Sequence, residues 1–275
     1  MSAPDTGSGD VVIVELDRPE CGNAIDLISA RRLRYRLADI AAADEIGAVV
    51  LAGRGRDFCV GGDLRDFAHA PAPADYIRDL ADVVHQAITV MRSLPMPVIA
   101  AVHGNCAGAG LGLALAADLV VAEPTTIFRS AYIGVGLSPD CGVSWGLPRA
   151  VGAARACDML LTNSPLGGIE ARDLGLVSRV VDTGSARAVA LDLASALACG
   201  PRIVAGHTVR LVRRAGDSSL AAQLSVEATL IADALASPEG SEGVAAFLTK
   251  RRPDFPAARM HRTSDHNPID PEECE

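Results

Sequence analysis

The chain has 275 residues, enough for one large domain with a substantial core or a core plus a helical appendage. Hydrophobic residues make up 49% and charged residues 21%, which excludes a disordered chain; with only 3% aromatics, the core must be built from Ala, Val, Leu and Ile. The net charge of −9 removes any general attraction to nucleic acid or an anionic membrane, so a bound anion must be held by a local cluster. Lys250 is the sole lysine. A Walker-type phosphate loop is therefore impossible upstream, and a Schiff-base enzyme would have to use that one residue.

Residues 1–9 are small and polar and read as a frayed start. Val11–Leu16 reads as a strand. From Asp26, a helix cap, Leu27, Ile28, Leu33, Leu37 and Ile40 keep a helical period. Ala48–Ala52 is a short apolar run of the kind buried on both faces. Phe58-Cys59-Val60-Gly61-Gly62-Asp63-Leu64 then forms a glycine-bearing turn, and residues 68–75 read as an Ala/Pro loop. An amphipathic helix carries Tyr76, Ile77, Leu80, Val83, Val84, Ala87, Ile88 and Met91.

Met96–Ala117 carries no formal charge and is long enough to span a bilayer. It contains Pro97, His103 and Asn105 and lacks basic flanks, so a buried strand (Pro97–Val102), a glycine turn and a small-residue helix describe it better. Leu119–Ala122 is again a strand. Alternating strands and helices imply an α/β core. After about residue 185 the pattern is helical only, over 185–199, 202–215, 219–236 and 239–250. The expected organisation is a core over 1–185, a helical region over 186–252, and a polar tail over 253–275.

The seven cysteines, Cys274 among them, are scattered without a CxxC pair, and the six histidines, which include His261 and His266, form no metal-ligand spacing. The reading is a reduced, cytoplasmic protein with core thiols, no structural metal and no bound cofactor. His103, after a buried strand, reads as a core histidine.

Two glycine turns, Gly61-Gly62 and Gly108-Ala109-Gly110, each follow a buried strand and lead into a helix. Backbone N–H groups at such places point outward unpaired, and two of them converging would stabilise an oxyanion. Leu113 stands where a dinucleotide fingerprint needs its third glycine, which argues against a Rossmann site. Gly142-Val143-Ser144-Trp145-Gly146 matches the GxSxG nucleophile elbow, with His207 as a triad partner on paper. An elbow needs a strand directly in and a helix directly out. Pro139 and Asp140 before it and Pro148 after it speak against one.

In their order and spacing, the Gly61-Gly62 turn, Pro97–Gly104 and Gly108–Asp118 together resemble the crotonase (enoyl-CoA hydratase/isomerase) superfamily. Gly136-Leu137-Ser138-Pro139, Leu147-Pro148-Arg149, Ala171–Val177 and Phe247–Arg251 continue the resemblance, which runs from about residue 11 to 252. It implies a ββα spiral core, a helical C-terminal region that builds a homo-trimer or hexamer, and an acyl-CoA thioester substrate in which coenzyme A enters as part of the substrate. Neither nucleic acid nor membrane is an expected partner. By position Gly62 and Ala109 supply the oxyanion amides, and Arg65 and Lys250 match basic contacts to the CoA moiety.

The departures bear on the reaction. Hydratases of the family carry two glutamates, at positions that here hold Gly112 and Tyr132. Pro139-Asp140-Cys141-Gly142-Val143-Ser144-Trp145 instead resembles a branch that includes acyl-CoA isomerases, in which this aspartate is the acid/base. The expected activity is an acyl-CoA isomerisation through a thioester enolate, with Asp140 as proton shuttle and Tyr132 either lining the acyl pocket or donating a hydrogen bond to the substrate. The alternatives are a hydratase with atypical acids and a non-catalytic acyl-CoA binder. Cys59 and Cys141 are read as packing or pocket lining.

Overall fold

A computed structural model describes residues 6–7 and 10–260; the expected frayed start, the tail beyond 260, Cys274, His261 and His266 lie outside the described residues, save Thr6 and Gly7. The chain divides into two compact units, which meet at Ser195 and Ala196.

The first unit is built on a six-stranded sheet. Its strands are β1 (Thr6–Gly7), β2 (Val11–Leu16), β3 (Ala48–Gly53), β4 (Val98–Val102), β6 (Leu119–Ala122) and β9 (Arg179–Val180), side by side in that order. Apart from the antiparallel edge pair β1–β2, every pairing is parallel, in registers such as Val11 with Ala48 and Val49 with Val98. A second sheet joins β5 (Asn105–Ala107), β7 (Ile127–Arg129) and β8 (Leu166–Gly167). β3 and β4 are buried along their whole length, as expected of parallel strands covered on both faces.

Helices fill the crossovers. α1 (Leu27–Ala41) begins at Asp26, whose carboxylate accepts the Ser29 N–H while the Ser29 hydroxyl accepts the Asp26 N–H. α2 (Leu64–His69) starts at Asp63, and α3 (Pro73–Ser93) packs on α1. Only residues 70–72 of the expected 68–75 loop stay outside a helix. The reason is local: Pro73 occupies the first helical turn of α3, where a missing N–H costs nothing. α4 (Ala109–Ala116) is apolar all round and, except at Leu115, fully buried.

Further helices of this unit are α5 (Val143–Val151), α6 (Ala153–Thr162) and α7 (Gly168–Leu174). Pro148 lies inside α5, so the expectation that it would stop a helix after Ser144 is corrected. The elbow reading nonetheless falls: no strand runs into Gly142, which is preceded by a turn and a short 3-10 helix at Ile133–Val135. β5, β7, β8 and β9 have two or three residues each, too short for an alternating pattern to be read. One consequence is that Gly108 follows β5 and not β4.

α8 (Ala186–Cys199) crosses the boundary between the units, so the division falls ten residues beyond the 185/186 boundary expected from sequence. The second unit continues with α9 (Arg202–Ala215), α10 (Leu220–Ala236), α11 (Pro238–Leu248) and α12 (Phe255–Met260). α12 occupies the start of the segment read as a tail. It is held by Arg259, which donates to the buried Glu239 carboxylate (2.5 Å) and to the carbonyls of Gly200 and Ala198. The same carboxylate accepts the first free amides of α9, from Arg202 and Ile203, at 3.2 and 3.1 Å. Leu220, Ile231, Phe247 and Leu248 stand largely exposed in this unit. Among the described residues no single helix is long and apolar enough to cross a membrane.

Candidate active site

Two backbone turns of the first unit lie against each other. A Cβ built on Gly61 would come within 3.3 Å of the Ala107 carbonyl and 3.7 Å of the Ala109 nitrogen, and Gly61 itself has φ +107°. The approach is fixed by parallel pairing of Cys59 with Cys106, in which the Cys59 N–H reaches the Asn105 carbonyl (3.1 Å) and the Ala107 N–H the Cys59 carbonyl (2.9 Å). Gly110, on the first turn of α4, has no room for a side chain, since its Cβ would sit 2.4 Å from the Cys59 carbonyl oxygen.

Buried polar groups hold the first turn from behind. Asn23 donates through Nδ2 to the carbonyls of Asp57 (2.7 Å) and Arg54 (2.9 Å). Asp57 accepts both the backbone and side-chain N–H of Asn105, at 2.9 and 2.6 Å. Burial alone would raise the Asp57 carboxyl, but these bonds and the neighbouring Arg56 together bring it below its ordinary value.

A cavity of about 360 Å³ opens in front of the paired turns. Gly62 and Ala109 both line it. Neither of their amides donates to another protein group among the described residues, and Ala109 is the first residue of α4, where a helix has no internal acceptor to offer. The walls are mainly aliphatic, with Val60, Phe67, Leu80, Val84 and Leu137 among them. Two expected site residues complete the lining, Tyr132 and Asp140, and Asp140 is the one carboxylate among the lining residues.

The Tyr132 hydroxyl donates to Asp140 Oδ1 at 2.7 Å. Burial, reinforced by the Asp140 charge, raises this phenol far above its ordinary value, so Tyr132 stays a proton donor in the hydrogen bond. Its backbone is set by Asn163, whose Oδ1 accepts the Ala131 N–H at 2.9 Å while Ala131 takes φ +66°.

Behind Asp140 the chain turns through two left-handed residues, Cys141 (φ +51°) and Gly142 (φ +72°), before α5 begins. The Cys141 N–H donates to His85 Nε2 on α3 at 3.0 Å. On its other side the Cys141 backbone lies against α4: a Cβ at Gly112 would be 2.4 Å from the Cys141 carbonyl oxygen and 2.7 Å from its Cβ. The space for a side chain at position 112 is thus taken by the turn that carries Asp140.

Cys141 lines the cavity as expected, and burial, then Asp140, raises its thiol well above its usual range. Cys59 is fully buried, and burial pushes its thiol up to about 12. Both are poor nucleophiles in consequence. His85, Asp140 and Cys141 bring one metal-binding atom each within 4.8 Å of one another, a proximity that sequence spacing did not reveal. His85 Nε2 is, however, already committed to the Cys141 N–H.

Arg65 stands exposed on α2 and is not part of the cavity wall, and Lys250 is exposed in the second unit. His103 is half-buried, not a core residue, and its Nε2 lies 2.9 Å from the Gly55 carbonyl. Sequence reasoning missed His85 and Asn163, which come from α3 and from the turn after α6. Neither carries a local motif; only the packing brings them to the site.

A crossover sheet with two facing backbone turns at the mouth of a largely apolar cavity is the arrangement that the crotonase resemblance implied. Residues 6–258 match the model of the enoyl-CoA hydratase/isomerase family. The chain belongs to that family and is an enzyme of the enoyl-CoA hydratase/isomerase type. A Rhodobacter capsulatus protein named "Probable enoyl-CoA hydratase" is 38% identical, over 90% of this chain and 95% of its own. The 1,2-epoxyphenylacetyl-CoA isomerase of Escherichia coli K12 is 36% identical, over 89% of this chain and 94% of its own. The crystal structure of an enoyl-CoA hydratase from Polaromonas sp. JS666 superposes with a TM-score of 0.84 at 36% identity, covering 90% of this chain and 97% of that one.

Proposed function

We propose that this enzyme is an acyl-CoA isomerase in which Asp140 moves the proton. The observation that carries the reading is the placement of one carboxylate, Asp140, on the wall of the cavity that Gly62 and Ala109 also line. With a 3-enoyl thioester, Asp140 takes a proton from C2, and the electron pair delocalises onto the thioester oxygen as a dienolate. The amides of Gly62 and Ala109 stabilise that oxyanion. The same carboxyl then returns the proton to C4, leaving the conjugated 2-enoyl thioester with no atom gained or lost. A ring acyl group could be rearranged through the same enolate, and the name of the E. coli relative supports the isomerase reading.

A hydratase of the two-glutamate kind needs carboxylates that this site lacks, and position 112 has no space for one. The test is to mix the enzyme with a 3-enoyl-CoA and follow absorbance of the conjugated product. Net formation of 3-hydroxyacyl-CoA from a 2-enoyl-CoA at a comparable rate would establish the hydratase instead. Tight thioester binding with no turnover of either substrate would establish the binder.

Ala109→Pro removes the Ala109 amide N–H and sets the ring Cδ in its place. Proline suits the first position of a helix but has no N–H. The variant is expected to keep its thermal midpoint within a few degrees while kcat falls about 10²–10³-fold. Unchanged kcat would remove Ala109 from the mechanism.

Arg65 is proposed as a contact for the CoA phosphates and Lys250 as another basic contact to the CoA moiety. Weaker binding of a CoA ester, but not of a pantetheine ester, in Arg65→Ala or Lys250→Ala is the expected result. A trimer or hexamer is proposed from the exposed apolar side chains of the second unit, Phe247 at 82% and Leu220 at 75% exposure among them. Light scattering is expected to give three or six chains; a monomer would overturn it.

A further inference from the structure

Among the described residues, Asp140 and Cys141 take a single hydrogen bond from outside their own stretch of chain. Cys141 is not glycine, yet it adopts φ +51°, a conformation that L residues enter only under constraint. Its carbonyl side is blocked by α4 at Gly112, and its N–H is taken by His85 Nε2. Asp140 itself is bonded by Tyr132 through Oδ1 and by the Val143 N–H through its carbonyl. Among the described residues, every hydrogen bond of Asp140 and Cys141 but one therefore stays within residues 132–143. His85 is the exception and lies 56 residues away on α3.

We propose that His85 is a positioning residue for Asp140. Its neutral imidazole, protonated at Nδ1, accepts the Cys141 N–H and keeps the turn in the left-handed form that aims the carboxylate at the cavity. The inference rests on the reading of Asp140 as the proton carrier. An imidazolium has no lone pair at Nε2, so protonation of His85 releases the tether and sets two N–H groups against each other.

The titratable and charged groups around His85 are Asp140 and Cys141 on the turn and Asp82 on its own helix. Arg34 and Tyr35 of α1 line the same surface depression. Arg34 donates to Gln86, at 2.9 Å, and is thereby drawn to the neighbouring residue. The Cys141 N–H is satisfied only by the neutral ring.

The experiment compares His85→Gln with His85→Leu in the isomerase assay across pH, with Asp140→Asn alongside. The glutamine side-chain oxygen can accept the Cys141 N–H but does not titrate. His85→Gln is expected to keep kcat within about threefold at neutral pH, and the acid limb of its pH–kcat profile is expected to move to lower pH. His85→Leu is expected to lose about 10–100-fold in kcat with KM changed by less than about threefold, as a misplaced group gives.

Wild-type kcat and pH profile in His85→Leu would overturn the tether. So would equal losses in both variants, because the acceptor would then be irrelevant. Should His85→Leu fail to fold, His85→Gln decides alone: an acid limb in its original place overturns the proposal. If Asp140→Asn retains activity, the isomerase reading fails, whereas an inactive Asp140→Asn beside a wild-type His85→Leu fails only the tether.

Discussion

Asp140→Asn is expected to lower kcat by about 10²–10⁴-fold, the range a positioned acid/base contributes, with KM changed only a few-fold. The substitution is nearly isosteric, and an amide oxygen can still accept the Tyr132 hydroxyl that now reaches Asp140 Oδ1 at 2.7 Å. The turn, the cavity wall and the two free amides are all retained. What disappears is the ability to take up and return a proton. Because no other carboxylate lines the cavity, no neighbour can substitute. The kinetics on a 3-enoyl-CoA, with a melting curve to confirm the fold, read the result directly. Full kcat in this variant would sink the proposed mechanism.

The second large effect is on stability. Gly112 sits inside α4, where replacing glycine by alanine ordinarily stabilises a helix by about 1 kcal/mol. Here the sign is expected to reverse. A methyl at this position meets the Cys141 carbonyl oxygen at 2.4 Å, a backbone atom that cannot swing aside as a side chain could. Overpacking of this kind costs about 2–3 kcal/mol, or about 5–10 °C in the thermal midpoint of a domain this size. Gly112→Glu is expected to be worse, and pairing it with Tyr132→Glu is expected not to create a hydratase. The entering carboxylate would have to displace the turn that carries Asp140. An unchanged midpoint in Gly112→Ala, measured by thermal denaturation, would show that this turn yields easily and that position 112 is open.

These two residues also show where sequence reading succeeds and where it stops. Gly112 was legible as the absence of a glutamate. That its Cβ position is filled by the Cys141 backbone was not, because the contact joins α4 to a turn about thirty residues later. The long elements were readable because burial imposes a period: β3 and β4 are apolar throughout, and α1 and α3 each bury one regular stripe. The short strands β5, β7, β8 and β9 are held by pairing partners and carry no period of their own. The loop expected at 68–75 shrank to three residues since Asp63 and Pro73 each start a helix.

The sequence by itself determined the α/β class, the helical C-terminal region, the two glycine turns and, through the motif order, the family. It also singled out Gly62, Ala109, Tyr132 and Asp140, since glycine turns and a lone acid in a fixed motif are local features. Only the tertiary structure decided which of the expected site residues share one cavity, gathering those four and leaving Arg65 on the surface. Only it supplied His85 and Asn163 as the groups that set Cys141 and Ala131 in left-handed backbone. The reason is physical: a hydrogen bond between residues dozens of positions apart leaves no spacing or periodicity to read, and exists only once the helices between them have packed.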